Sequence, residues 1–77
     1  MNTILVSPVG ELWELRLEPA RAVVRYRCGT DAQAAAYGIA QAIARGGGEA
    51  VVKILGERGD LVALQVHGPG ATRPTYH

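Results

Sequence analysis

Hydrophobic and polar residues alternate in two blocks of this chain, and a stretch of helical period separates them. Trp13, Leu15 and Leu17 share one parity, while Leu12, Glu14, Arg16 and Glu18 share the other. That period of two is what a half-buried strand requires. In Glu18-Pro19-Ala20-Arg21 the proline takes the second position of a four-residue turn, where its fixed φ is favourable. Alternation then resumes, with Val24, Tyr26 and Cys28 against Val23, Arg25 and Arg27. The pattern predicts an antiparallel hairpin of residues 12–17 and 22–27. The short run Ile4-Leu5-Val6, closed by Pro8 and Gly10, either leads into that hairpin or pairs beside it.

A helix is predicted over residues 30–45. Thr30 with Gln33 fits a capping box, and Asp31 suits the positive end of the helix dipole. Ala32, Ala35, Ala36, Ile39, Ala40 and Ile43 recur at helical spacing as one apolar stripe, small enough to let the axis approach a sheet closely. Gly38 interrupts the pattern, through a close contact or simple tolerance. Gly46-Gly47-Gly48 ends it, with one glycine in the left-handed position after the cap. Period two then returns: Val52 and Ile54 oppose Val51, Lys53 and Leu55, and Val62, Leu64 and Val66 oppose Ala63, Gln65 and His67. Residues 56–60, Gly-Glu-Arg-Gly-Asp, connect these two strands as a hairpin. The expected fold is α+β, a four-stranded antiparallel ββαββ sheet with one helix packed on one face. It fills residues 1–68 as a single domain and leaves 69–77 as a flexible tail.

One helix covers one face of such a sheet. If the larger hydrophobes face the helix, the covered set is Trp13, Leu15, Leu17, Val24, Tyr26, Val52, Ile54, Val62, Leu64 and Val66. The open set is then Glu14, Arg16, Val23, Arg25, Arg27, Val51, Lys53, Leu55, Ala63 and Gln65. A slip of one residue reverses these sets on any strand. Two readings of the open face compete. In the first it is a solvated surface, where Arg and Lys stems cover apolar neighbours. In the second it is a contact surface, centred on Arg16, Arg25, Arg27, Lys53, Val23 and Val51, for a protein partner or a second copy of the chain.

Composition narrows the classes. With 77 residues there is room for one small core, and association often supplements so small a core. A net charge of +1 does not point to nucleic acid or membrane. Nucleic-acid binding on the open face is further disfavoured because Trp13 and Tyr26 fall on the helix side by parity. The first residues lack the basic start and long apolar run of a signal peptide, and no apolar stretch approaches the roughly 20 residues a membrane span needs. A single cysteine, Cys28, excludes an internal disulfide and suits a cytoplasmic setting. Its parity points inward, as a buried, inert thiol, although a helix N-terminus just after it could lower its pKa.

Catalytic chemistry finds no support. The two histidines, His67 and His77, lack metal-ligand spacing and are expected as ordinary surface residues. Ser7, the only serine, has no base placed beside it, and the three glycines follow a helix where a phosphate loop opens one. No enzyme activity, cofactor or metal is expected.

Two resemblances follow from these residues. Val6 and Pro8, Gly10 and Trp13, Thr30 with the alanine-rich stretch to Ala44, and Gly59-Asp60-Leu61-Val62 leading to His67-Gly68 resemble a bacterial domain family of unknown function. The chain differs from it in placing Gly59 before the acidic turn residue and His67 where the family tends to have Tyr. In size and layout, without a shared motif, the chain also resembles some phage-encoded anti-CRISPR proteins. That likeness implies a stoichiometric inhibitor that binds a subunit of a CRISPR effector, an RNA-guided surveillance complex. The alternatives are a small bacterial homodimer of unknown role and a nucleic-acid-binding domain.

Overall fold

The computed structural model describes residues 1–68 with side chains and residues 71–75 by their backbone. Seven elements follow one another: β1 (Asn2–Val9), β2 (Leu12–Glu18), β3 (Ala22–Tyr26), α1 (Gly29–Arg45), β4 (Ala50–Leu55), β5 (Leu61–Gly68) and β6 (Ala71–Thr75). The fold is α+β with one helix, and the strands form one mixed sheet in the order β3-β2-β1-β4-β5-β6. The expected four-stranded antiparallel ββαββ sheet is therefore corrected in two respects.

First, the Ile4 run is a full central strand. β1 pairs antiparallel with β2 and parallel with β4. Since β3 runs parallel to β1, and α1 carries the chain back over the sheet, β4 starts in the same direction as β1; a parallel pair needs such a crossover. Central placement explains why Ile4 and Val6 are wholly buried. Pro8 is tolerated because it lies beyond Val6, the last β1 residue paired with β4. Second, a further strand lies within the expected tail: Ala71–Thr75 pair antiparallel with β5 as an edge strand. The rest of that tail, residues 69–70 and 76–77, lies outside the described residues.

The expected hairpin of residues 12–17 and 22–27 forms as β2 and β3, and β1 makes a further hairpin with β2. Gly10 has φ +62, and with Glu11 it links Val9 to its partner Leu12, a two-residue connection with glycine first, which suits strand twist. Trp13 pairs with Tyr26 and Leu15 with Val24, so both pairs lie on the helix side. The helix begins one residue earlier than expected, with Cys28 as N-cap and no side-chain cap hydrogen bond. The Thr30–Gln33 capping box does not form. Asp31 does occupy the first turn and Arg45 the last, each favourable to the dipole.

The helix end follows its glycines closely. Gly48 N–H donates to the Ile43 carbonyl at 2.9 Å and Gly47 N–H to the Ala44 carbonyl at 3.0 Å, with Gly47 at φ +91. These are the two hydrogen bonds of a Schellman motif. Ala32, Ala36 and Ala40 are fully buried and pack with Ile4, Val6, Leu15, Ala50, Val52 and Ile54. The alanine stripe thus lies directly on β1 and β4, at the centre of the sheet. Trp13, Leu17, Tyr26, Tyr37, Ile39 and Ile43 close the margins of this core.

Candidate functional site

The side of the sheet away from α1 is built from alternate residues of every strand. The register places Leu5 beside Arg16 and Lys53, Thr3 beside Val51, and Arg25 beside Glu14. On β5 the expected faces are reversed. Val52 pairs with Gln65, Ala50 with His67 and Ile54 with Ala63, so Ala63, Gln65 and His67 share the helix side. Leu64 and Val66, expected under the helix, pair with Lys53 and Val51 on the open side. The cause is a bulge: Leu55 pairs with Leu61 while Ile54 pairs with Ala63, so Val62 is one extra residue. One added residue flips all that follows. The premise that larger hydrophobes face the helix fails at this flank because Tyr37 stands there over His67, with ring centroids 6.3 Å apart.

The open face therefore has two unlike halves. Leu5, Val51, Leu55, Leu64 and Val66 are half-buried aliphatics, with Lys53 exposed among them. Toward β2 and β3 the residues are charged. Glu14, expected as an ordinary open-face residue, is only 4% exposed. Its Oε1 accepts a hydrogen bond from Arg16 Nε at 2.5 Å, and its Oε2 lies 3.5 Å from Arg25 Nε. The Arg16 hydrogen bond holds the Glu14 carboxyl below the usual carboxylate range, against an opposing push from desolvation, with the charges of Arg16 and Arg25 adding to the lowering. The same contact raises the Arg16 pKa. Both signals were present in the sequence: Arg16 is two residues from Glu14 on one strand face, and Arg25 is its cross-strand partner.

Of the residues expected to bind a partner, Arg16, Val23, Arg25, Val51 and Lys53 share this face by register. Arg27 is exposed but follows the end of β3 at Tyr26, in a bend. Val24, expected under the helix, is 46% exposed, although its strand neighbour Tyr26 packs against the core.

Cys28 and His67 both depart from expectation. Cys28 is exposed, since strand parity stops at Tyr26 and does not reach it. His67 is 1% exposed. Its Nε2 lies 2.6 Å from Gln65 Oε1, and burial pushes its pKa down. His77 lies outside the described residues. Among the described residues, no three His, Cys, Asp or Glu side chains gather as a metal site, and no helix is long and apolar enough to cross a membrane.

Comparison with known proteins adds no relative: no family model, no curated protein and no solved structure matches the chain.

Proposed function

We propose that the chain is a non-catalytic protein-binding module whose open sheet face docks on a partner protein. The observation that carries this reading is the aliphatic half of that face. Leu5, Val51, Leu55, Leu64 and Val66 are left half-buried, and among the described residues no second layer lies over them. Aliphatic area beside arginine matches the anatomy of protein interfaces. Nucleic-acid binding draws less support, because Trp13, Tyr26 and Tyr37 all pack toward the core and, among the described residues, leave the open face without a stacking platform.

A narrower form of the proposal is stoichiometric inhibition of an RNA-guided surveillance complex, in the cytoplasm of a bacterium. Its supports are size, the one-helix architecture and a lone cysteine suited to a reducing compartment. Target-DNA binding by such a complex, measured with and without added chain, tests that form directly.

For the module itself the test is affinity capture from a bacterial lysate with the native chain and with a Lys53→Glu, Leu64→Ser double variant. A partner retained by the first and lost by the second, at unchanged circular dichroism, is the expected result. Identical partners on both baits, or none on either, sinks the reading. Light scattering over a range of concentrations separates the alternative of a homodimer, which would occupy the face itself.

A further inference from the structure

One rim of the sheet is β3 (Ala22–Tyr26), the outermost strand beside β2. Among the described residues, β2 is the only strand paired with β3. Alternate backbone N–H and C=O groups of Ala22–Tyr26 therefore face outward in an extended row, a template for one more strand. Four of the five β3 residues are exposed. Val23 and Val24, 47% and 46% exposed, sit on opposite faces of the strand.

Charge decides which strand fits. Of the eight basic residues in the chain, Arg16, Arg21, Arg25 and Arg27 fall within residues 16–27, where Glu18 is the only acid. All four are exposed. Glu14 is already committed to Arg16, and its contact with Arg25 is long, leaving the Arg25 side chain 64% exposed. A guanidinium has five N–H donors, so Arg25 keeps several for another carboxylate. A second copy of the chain pairing through the same rim would line the arginines of both along one seam, which like-charge repulsion opposes.

We propose that the β3 rim is a strand-addition site for an extended acidic segment of a protein partner, one in which carboxylates alternate with β-branched residues. Alternation follows from register. Arg25 lies on the open side and Val24 on the helix side, so carboxylates on one face of the added strand meet Arg25 while β-branched side chains lie against Val24. This inference rests on the protein-binding reading but uses the rim of the sheet, where that reading uses the face.

The test is titration of the isotope-labelled chain with a capped peptide of sequence TEVDVET, read by amide NMR and hydrogen exchange. The rearranged peptide EEDVVTT, the basic peptide TKVKVKT and oligothymidine serve as competing probes. The expected result is shift changes centred on Ala22–Tyr26, newly protected β3 amides, and affinity that falls as salt rises. Arg25→Gln with Arg27→Gln should weaken binding about tenfold; this pair removes charge without setting a carboxylate beside Glu14. Equal binding of the rearranged or basic peptide overturns the proposal. So does tighter binding of oligothymidine at the same amides, shifts at Leu64 and Val66 without β3 protection, or no shift at millimolar peptide. A failed peptide titration alongside partner loss in the Lys53→Glu, Leu64→Ser variant removes the rim inference alone; the converse result removes the face.

Discussion

Two glycines of α1 should respond to alanine in opposite directions, and the pair tests whether the helix lies where its stripe places it. Gly38 is exposed, and a Cβ built there meets nothing within 4 Å. Gly38→Ala then gains only helix propensity, about 1 kcal/mol. At Gly29, in the first turn, an added Cβ would lie 2.9 Å from Trp13 Cε2 and 3.1 Å from Cζ2. The indole is a rigid ring packed against the core beside Tyr26, so it must move as a body. Overpacking of this kind costs about 1–3 kcal/mol, which outweighs the smaller propensity gain at a helix terminus. For a domain of this length 1 kcal/mol moves the melting temperature by about 4–8 °C. Thermal melts followed by circular dichroism should show Gly38→Ala melting about 5 °C higher and Gly29→Ala several degrees lower. Trp13 is the only tryptophan, so its fluorescence gives an independent readout: the emission should shift in Gly29→Ala and stay in place in Gly38→Ala. A stabilised Gly29→Ala with native emission would mean that the helix does not rest on Trp13. The assignment of covered and open faces would then lose its footing.

Three further outcomes follow from buried groups. Ala36 is wholly enclosed between helix and sheet, so Ala36→Leu should lower stability by about 1–3 kcal/mol in urea denaturation; an unchanged midpoint would refute the close approach of α1. Burial lowers the His67 pKa in the folded chain from an ordinary 6.5. Below 6.5 the unfolded chain therefore holds more protons than the folded one, and stability should fall as pH drops from there toward the folded value. Denaturation midpoints across pH should show this limb, and His67→Gln should flatten it. Glu14 has its pKa lowered from 4.5, chiefly by the Arg16 hydrogen bond. Its contribution is present above 4.5 and lost as pH falls through the lower folded value, so Glu14→Gln should make the acid limb shallower; an unaltered acid limb would remove the carboxylate from that role.

What the sequence made legible were the elements whose signals are local. The β2–β3 alternation, the alanine stripe and the glycine stop each set backbone geometry within a few residues, and each recurs in the structure. What it hid was set by long-range pairing. The Ile4 run is too short and too uniformly apolar to show which neighbours it has, and only the parallel ladder with β4 makes it central. Faces of β5 depended on a single bulge residue, Val62, in a stretch whose alternation reads equally well in either phase. Cys28 lies beyond Tyr26, where strand parity no longer fixes which side a residue faces. Glu14 lies on the open face as its parity predicts, but its burial between ion pairs to arginines of two strands is not visible in alternation alone.

The reversal on β5 changes the character of the open face more than any other feature. With Ala63 and Gln65 turned inward and Leu64 and Val66 turned outward, the face becomes an aliphatic half beside a charged half, in place of the evenly mixed surface expected. A purely solvated face explains the first half poorly, because among the described residues only Lys53, and Arg16 at its margin beside Leu5, offer long polar stems to shield it. The charged half is less basic than its arginines suggest. Glu14 engages Arg16 closely and Arg25 only at longer range, so one carboxylate offsets one of the positive charges on this half. Apolar contact should then dominate association through this face, and its salt dependence should be shallow. A nucleic-acid surface would show a steep decline of affinity with salt, set by the number of phosphates neutralised.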